Sequence, residues 1–454
     1  MRRTQGVLLG ALLPVTMAAA AVTSGFTVVP PGPVTDRIAV EARVGLRNGG
    51  DSKQAVRVSV YADGRRLTTR TVTVPAGGTK LVSVWWPTTG QAGEHCLSYR
   101  VEQEGATIGH GDWPLQVIAC ETPALPMFQG VWLDLWGLSA GVYGRESDVT
   151  EQDLRDIVDA MHGLGVTTII VTYVEAQGRF FYPSRLRFFD RDRQQETQGQ
   201  WPEYDAVGTI LEQADRCGMH VLLGLGRGGD LYLIHHTADA ARLQRAVGIS
   251  QQVASELWDL YGHHPSFYGW YLTHEVNDLA AAGAYYNPVA DFCHALAPDK
   301  PVLCAPDGSP ITPPEVLRRS HVDIFAYQDA VGPGYVPYEY TYQPERRLAM
   351  LEGIYADYQR RHQGTGKHLW ADLELWEMAG PDYGHAYPAP WSRVARQLAA
   401  ECRYVEMVTA YEWSGFMQAP GGQRPLLDTR ARELFQYYQT YLCSTKALPR
   451  LAGN

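Results

Sequence analysis

The fold is decided by residues 266–278, which read SFYGWYLTHEVND. An apolar and aromatic run ends abruptly at His274 and Glu275. A run that is apolar on both sides predicts a short strand buried between two layers, as in a parallel sheet covered by helices. Glu275 is the first carboxylate after that run. In a (β/α)8 barrel, a carboxylate at the carboxyl end of a strand lies where the chemistry takes place.

A second stretch repeats this pattern, since residues 367–374 read KHLWADLE and end at Glu374. The two glutamates lie about 100 residues apart in the chain, but parallel barrel strands bring their carboxyl ends together at one face. We therefore expect Glu275 and Glu374 to face each other across a cleft.

From residue 127 to residue 445, strand-like and helix-like segments alternate eight times. This number and size are typical of an α/β fold of the (β/α)8 TIM-barrel type. A doubly wound sheet would need a glycine-rich phosphate loop after its first strand, and residues 133–137 (LDLWG) form no such loop. The predicted strands are Phe128–Leu135, Val166–Val174, His220–Leu225, Tyr268–Thr273, Val302–Ala305, Val322–Tyr327, His368–Leu373 and Val405–Tyr411.

Residues 24–122 have a different rhythm, with six short alternating runs separated by glycine-rich turns. This spacing predicts a small all-β, immunoglobulin-like sandwich domain before the barrel. Its neighbouring tryptophans, Trp85 and Trp86, are expected in its core or at the domain interface, with carbohydrate contact as the alternative. The predicted strands are Arg37–Leu46, Ala55–Tyr61, Thr69–Val74, Leu81–Trp86, Cys96–Glu102 and Trp113–Ile118.

Residues 1–23 have the features of a signal peptide, with two arginines, an apolar middle and small residues at the end. We expect a secreted, periplasmic or cell-surface protein, with an uncleaved anchor as the alternative and no later membrane span.

The chain has seven cysteines. Outside the cytosol we expect a disulfide between Cys96 and Cys120, with two free thiols as the alternative. Cys402 and Cys443 could also pair.

Charge and motif spacing exclude several functions. A net charge of -10 argues against nucleic acid, which needs a basic surface. The adjacent pairs His235-His236 and His263-His264 lack the i, i+4 spacing of helical metal ligands, so we expect neither a metal nor another cofactor. Residues 413–415 (WSG) lack a nucleophile elbow. We expect a monomer.

Carboxylates and aromatic rings accumulate at the carboxyl ends of the predicted strands, whereas the opposite ends are plainer. Glycoside cleavage needs one carboxylic acid to protonate the leaving oxygen and a second carboxylate to attack or to activate water. Aromatic rings and short polar side chains would bind the sugar. The expected substrate-binding residues are Asp134, Trp136, Tyr173, Glu175, His274, Asn277, Tyr327, Gln328, Asp372, Trp376 and Trp413.

The motifs at these strand ends resemble a known family. They are FQG at 128–130, YPS at 182–184, GWY at 269–271, HE at 274–275, YQD at 327–329 and WADLE at 370–374. Together they resemble the family called domain of unknown function 4434, which is related to the retaining glycosidases with (β/α)8 barrels. The resemblance implies that Glu275 is the acid/base and Glu374 the nucleophile. It also implies that Tyr327 lies near the nucleophile and that Trp413 is a sugar platform.

One position departs from the superfamily, since His274 stands where many members have asparagine before the acid/base. Glu377 and Asp372 are rivals of Glu374 as nucleophile, but alternation places Asp372 deeper on the same face. The sequence thus predicts a retaining glycoside hydrolase acting on a polysaccharide or oligosaccharide. The alternatives are a non-catalytic carbohydrate-binding protein and another polymer-processing enzyme such as a lyase or a deacetylase.

Overall fold

The structure is a computed structural model, which describes residues 22–139, 149–176, 178–190, 195–196, 199–227, 239–276, 278–308, 312–334, 343–378, 386–420 and 429–445. Most of the predicted signal peptide and Asn277 lie outside these ranges. An all-β domain precedes an eight-stranded parallel barrel, so the predicted fold class is confirmed.

The amino-terminal domain is a sandwich of a three-stranded sheet, ordered β1-β3-β6, and a five-stranded sheet, ordered β2-β8-β7-β4-β5. Alternating valines from both sheets fill the space between them. The first two strands were not predicted, and β1 begins inside the segment interpreted as the end of the signal peptide. The strands are β1 (Val22–Val29), β2 (Val34–Thr35), β3 (Ala39–Asn48), β4 (Gln54–Ala62), β5 (Arg65–Val74), β6 (Thr79–Pro87), β7 (Gly93–Gln103) and β8 (Ala106–Ile118).

The second domain is a closed barrel in which each strand pairs in parallel with its neighbours. In chain order its strands are β9 (Gly130–Leu133), β10 (Thr168–Val171), β16 (His220–Gly224), β17 (Phe267–Leu272), β18 (Val302–Cys304), β19 (Ile324–Gln328), β20 (His368–Glu374) and β23 (Met407–Tyr411). Short strands in the loops are β11 (Glu175–Ala176), β12 (Arg179–Phe180), β13 (Phe189–Asp190), β14 (Gln195–Glu196), β15 (Gly199–Gln200), β21 (Trp376–Met378) and β22 (Ala386–Pro388).

Helices surround the barrel: α1 (Leu135–Ser139), α2 (Glu151–Gly163), α3 (Ala206–Cys217), α4 (Ala240–Tyr261), α5 (Leu279–Leu296), α6 (Pro314–Arg319), α7 (Pro344–His362), α8 (Trp391–Glu401), α9 (Trp413–Phe416) and α10 (Arg430–Thr445). The barrel strands agree with their predicted bounds to within a few residues. Helix α5 begins at Leu279, because Asp278 caps it by accepting the N–H groups of Ala280 and Ala281. No helix in the described part of the chain is long and apolar enough to cross a bilayer.

Alternation along each strand decides which side chains enter the barrel. Trp370 of β20 packs in the central cluster with Trp132 and Ile324, whereas Leu369 and Leu373 pack in the layer between strands and helices. The even-numbered residues of β20, including Asp372 and Glu374, therefore lie on its inward face. The same argument places Gln328 of β19 on the inward face.

The sandwich closes the amino-terminal end of the barrel. Val29 of β1 packs in the central barrel cluster, and Arg43 of β3 forms ion pairs of 2.9 Å with both Glu41 and Asp323. Trp85 is 40% exposed and stacks on His368, the first residue of β20, with ring centres 4.7 Å apart. Trp85 is thus a domain-interface residue at the end opposite the carboxyl-terminal opening, which we call the mouth.

All seven cysteines are free in the structure. The predicted disulfide between Cys96 and Cys120 is wrong, because Cys96 lies opposite Pro114 on the paired strand. Cys120 is six residues beyond Pro114, about 20 Å along an extended chain. The Cα atoms of a disulfide are about 4.4–6.8 Å apart.

Candidate active site

Glu374 ends β20 on the inward face of the barrel and is 6% exposed. Its Oε2 atom accepts the backbone N–H of Gly332 at 2.6 Å. Burial raises the pKa of Glu374 well above its ordinary value, and the Asp329 and Asp372 carboxyls raise it further. The Gly332 N–H and the Arg393 cation oppose this rise. Glu374 is therefore a rigidly held carboxyl among other carboxyls.

Glu275 lies just beyond the end of β17 and is half-buried. It lies close to Tyr271 and Tyr173. Burial raises the pKa of both tyrosines, and the Glu275 charge raises them further. Glu275 also helps to raise the pKa of Asp372, after burial and Asp329. Asp372 in turn raises the pKa of Glu374. Glu275 and Glu374 thus approach the same neighbour from the fourth and seventh barrel strands.

Asp372 lies two residues deeper than Glu374 and is buried. Its Oδ1 atom has no hydrogen-bond partner among the described residues. Its pKa is raised well above the ordinary value by burial, Asp329 and Glu275. Because Asp372 lies deeper on the same inward face than Glu374, it suits a supporting role better than that of nucleophile.

A cation and an acid lie at the part of the mouth formed by the neighbouring strands β9, β10 and β16. Arg227 donates a hydrogen bond from Nη2 to the Tyr173 hydroxyl at 2.6 Å, and its guanidinium carbon lies 4.4 Å from the centre of that ring. Burial raises the pKa of Asp134, whereas the Gly137 N–H, Arg227 and the Trp136 N–H lower it. The structure therefore brings Asp134 and Tyr173 together around Arg227, which was not among the expected substrate-binding residues.

Aromatic rings lie below and beside these groups. The Trp132 and Tyr271 rings meet edge to face in the barrel interior, with centres 4.8 Å apart. Trp136 of α1 is half-buried, and its ring centre lies 6.2 Å from that of Trp201. Trp136 and Trp201 are therefore two partly exposed rings that could stack on a sugar.

Three residues that were expected at the site point away from the mouth. Tyr327 faces outward from β19, where its ring stacks on Tyr358 of α7 at 4.0 Å. His274 is buried edge-on against Tyr285 of α5, and burial followed by the Arg227 charge lowers its pKa to about 3. Trp413 is buried in α9. For Tyr327 the physical reason is alternation, since Tyr327 and Gln328 are adjacent on β19 and cannot both face inward.

The remaining predicted residues occupy intermediate positions. Glu175 is fully buried, and its Oε1 atom accepts the Gly178 N–H at 3.1 Å. Trp376 is buried under the mouth beside Phe416. Gln328 is half-buried and accepts the Gly308 N–H at 3.4 Å. Glu175 and Trp376 therefore support the loops of the mouth.

Helix α8 carries a support network that the sequence analysis missed. Arg393 donates from Nη2 to the backbone oxygens of Glu374 at 2.8 Å and Trp376 at 2.7 Å. Gln397 donates from Nε2 to the backbone oxygen of Glu374 at 3.1 Å and also to Oδ2 of Asp329. A signal was present, because Arg393, Gln397 and Glu401 recur every four residues on a helix whose other buried residues are apolar.

Comparison with known proteins gives a family match and a fold match. The model of the family described as "Domain of unknown function (DUF4434)" matches residues 128–424. A putative alpha-L-fucosidase from Bacteroides thetaiotaomicron VPI-5482 is similar in structure, with 20% identity and a TM-score of 0.53 over 69% of this chain and 92% of the other. At that identity, the likeness shows a shared fold.

Two further solved structures are more distant. A GH2 beta-galacturonidase from Eisenbergiella tayi has 13% identity and a TM-score of 0.44, covering 94% of this chain and 71% of the other. A Bacteroides uniformis beta-glucuronidase has 12% identity and a TM-score of 0.42, covering 93% of this chain and 50% of the other. No curated protein matches the chain.

Proposed function

The chain belongs to the DUF4434 family, and we propose that it is a glycoside hydrolase that cleaves a polysaccharide or oligosaccharide with retention of configuration. The observation that carries the proposal is the position of Glu275 and Glu374 after the fourth and seventh strands of one barrel, with Asp372 as a shared neighbour. The leader-like composition of residues 1–23 supports an action outside the cytoplasm.

The surroundings of the two glutamates suit two different roles. A nucleophile must be held at a fixed position, and the Glu374 side chain is held by the Gly332 N–H while Arg393 and Gln397 bind its backbone oxygen. An acid/base must reach the leaving oxygen in the first step and the attacking water in the second, and Glu275 is the more exposed of the pair. Glu374 is therefore assigned as nucleophile and Glu275 as acid/base.

In the first step, a carboxylate oxygen of Glu374 forms a bond to the anomeric carbon. The bond from that carbon to the leaving oxygen breaks, and Glu275 donates its proton to this oxygen. In the second step, Glu275 takes a proton from water, whose oxygen attacks the anomeric carbon and releases Glu374. Two inversions give net retention.

Paired amide substitutions test the assignment. Screening purified protein on a polysaccharide panel and on aryl glycosides would identify a responsive substrate. We expect Glu275→Gln to lower turnover by about 10²–10⁴-fold, and Glu374→Gln to lower it at least as much. Binding of the substrate and the unfolding temperature should change little.

Glu377→Gln is the matched control, since Glu377 was a rival nucleophile. The structure places it on β21, where it hydrogen-bonds to the Tyr387 side chain. Burial raises the pKa of Tyr387, and Glu377 raises it further. We expect this variant to retain turnover. Wild-type rates for Glu275→Gln or Glu374→Gln would refute the assignment, and glycan binding without turnover by the wild-type protein would indicate a carbohydrate-binding protein.

A further inference from the structure

Four carboxyl groups are buried together between β19, β20 and α8, and the proposed mechanism uses only one of them. They are Asp329, Asp372, Glu374 and Glu401. Carboxyl groups buried side by side cannot all be ionised, because each charge loses its hydration and repels the others. The arrangement of hydrogen bonds shows which group holds a proton.

Asp329 is surrounded by donors. Its Oδ1 atom accepts the N–H of Val331 at 2.9 Å, and its Oδ2 atom accepts the N–H of Glu374 at 3.3 Å and Nε2 of Gln397. An ionised carboxylate accepts hydrogen bonds only, and it has about four positions for them. Three N–H donors therefore favour the charged form of Asp329.

Glu401 has the opposite surroundings. It ends α8, four residues after Gln397, and its side chain is 0% exposed. Within the described structure, neither of its carboxyl oxygens receives a hydrogen bond from an N–H or O–H donor. Its carboxyl group instead interacts with the Asp329 carboxyl. Two ionised carboxylates cannot hydrogen-bond to each other, so a proton must lie between them.

We propose that Glu401 is protonated in the folded protein and donates its O–H to Asp329, and that Asp329 in this state is a positioning residue for Glu374. The donated proton supplies a fourth hydrogen bond to Asp329 beside its three N–H donors. Asp329 thereby continues to accept the backbone N–H of Glu374. The proton on Glu401 also lowers the total negative charge of the four buried carboxyl groups. The positioning role of Asp329 rests on the proposed function of Glu374, whereas the proton on Glu401 does not.

Other charged or titratable groups lie around Glu401 and its neighbours Asp329 and Glu374. They are Asp329 after β19, Asp372 and Glu374 of β20, Tyr355 and Arg347 of α7, and Arg393 and Cys402 of α8 and its carboxyl end. Burial, followed by Asp329, raises the pKa of Glu401 well above its ordinary 4.5. This agrees with the proton placed on Glu401 by geometry.

The pH dependence of stability tests the proton without a substrate. The unfolded chain releases the Glu401 proton near pH 4.5, whereas the folded chain keeps it to higher pH. Because of the Glu401 carboxyl, the folding equilibrium constant therefore decreases by up to tenfold for each pH unit above about pH 4.5. In Glu401→Gln an N–H replaces the O–H, so the ratio of the variant's folding constant to that of wild type should rise by about tenfold per pH unit. Urea unfolding at several pH values measures this ratio.

Glu433→Gln is the matched control, because Glu433 is an exposed glutamate on α10. It should follow the wild-type pH dependence. A constant ratio between Glu401→Gln and wild type across this pH range would overturn the proposal, because it would show that Glu401 is ionised in the folded protein.

A second variant, Asp329→Asn, decides the matter if Glu401→Gln does not fold. An asparagine amide can donate to Glu401 and stabilise its ionised form, so the pH dependence should again be weaker than in wild type. With a responsive substrate, the acid limb of its kcat/KM profile should move to lower pH, because Asp329 no longer raises the pKa of Glu374. An unchanged stability slope in Asp329→Asn would contradict the shared proton, and an unmoved acid limb would contradict the positioning role.

Discussion

Gly332 donates its backbone N–H to Oε2 of Glu374 at 2.6 Å, so the loop after β19 rests directly on the side chain that ends β20. A Cβ atom at position 332 would lie 2.9 Å from that oxygen and 2.8 Å from the backbone oxygen of Trp376. Real Cβ atoms essentially never approach other atoms so closely. Position 332, whose N–H holds the proposed nucleophile, therefore accommodates only glycine.

Gly332→Ala should displace either the loop or Glu374. We expect a loss of about 1–3 kcal/mol in the free energy of unfolding, as for other overpacked sites, together with lower kcat. Urea unfolding and turnover assays measure the two effects. Gly353→Ala on the exposed face of α7 is the control, because a Cβ there meets no atom within 4 Å. That change should stabilise the protein by about 0.5–1 kcal/mol. Equal behaviour of the two variants would count against the close contact.

Tyr327 packs against α7 and donates or accepts a hydrogen bond with Nε2 of His362 at 3.2 Å. Removing its hydroxyl in Tyr327→Phe should cost about 0.5–1.5 kcal/mol of stability and leave kcat/KM unchanged. Tyr173→Phe makes the same chemical change at the mouth, where the hydroxyl holds Arg227. We expect a lower kcat/KM there. A large loss of kcat in Tyr327→Phe would restore the role that the family resemblance implies.

The domain interface should weaken at alkaline pH. Burial lowers the pKa of His368, but Glu406 and Glu41 more than offset this, and its pKa is raised from 6.5 to about 9. The protonated ring therefore stabilises the fold fully below pH 6.5, and this stabilisation, on the order of 3 kcal/mol, is lost as the pH rises through about 9. His368→Gln should remove this part of the pH dependence.

Unfolding experiments at pH 6.5 and above pH 9 compare the two proteins. Four charged groups belong to the same network as the ring and are kept in the variant: Glu406, Glu41, Arg43 and Asp323. Wild type should lose more stability than His368→Gln over this range. Identical losses in both proteins would show that the ring is neutral in the folded state.

Much of the barrel could be predicted from the sequence, because each strand is an apolar run and each run ends in polar residues. The same rule found Glu275 and Glu374. It could not say which of two adjacent residues faces the interior, as the pair Tyr327 and Gln328 shows. Applying alternation strictly would have rejected one member of that pair.

Contacts between distant segments were harder to predict. Nothing local in β1 or β3 indicates that Val29 enters the barrel or that Arg43 pairs with Asp323, 280 residues away. The disulfide prediction failed for a related reason, since it ignored the register that separates Cys96 from Cys120. The α8 network escaped because buried arginine and glutamate are uncommon, and patterns are usually read for apolar residues.

The central claim is that Glu374 forms a covalent bond to the sugar during turnover. A 2-deoxy-2-fluoro glycoside with a good leaving group, matched to the responsive substrate, slows the second step and traps the glycosyl-enzyme. Peptide mapping by mass spectrometry then locates the ester. The mechanism predicts one ester, on Glu374. An ester on Asp372 or Glu377, or turnover of the substrate with inverted configuration and no ester, would contradict it.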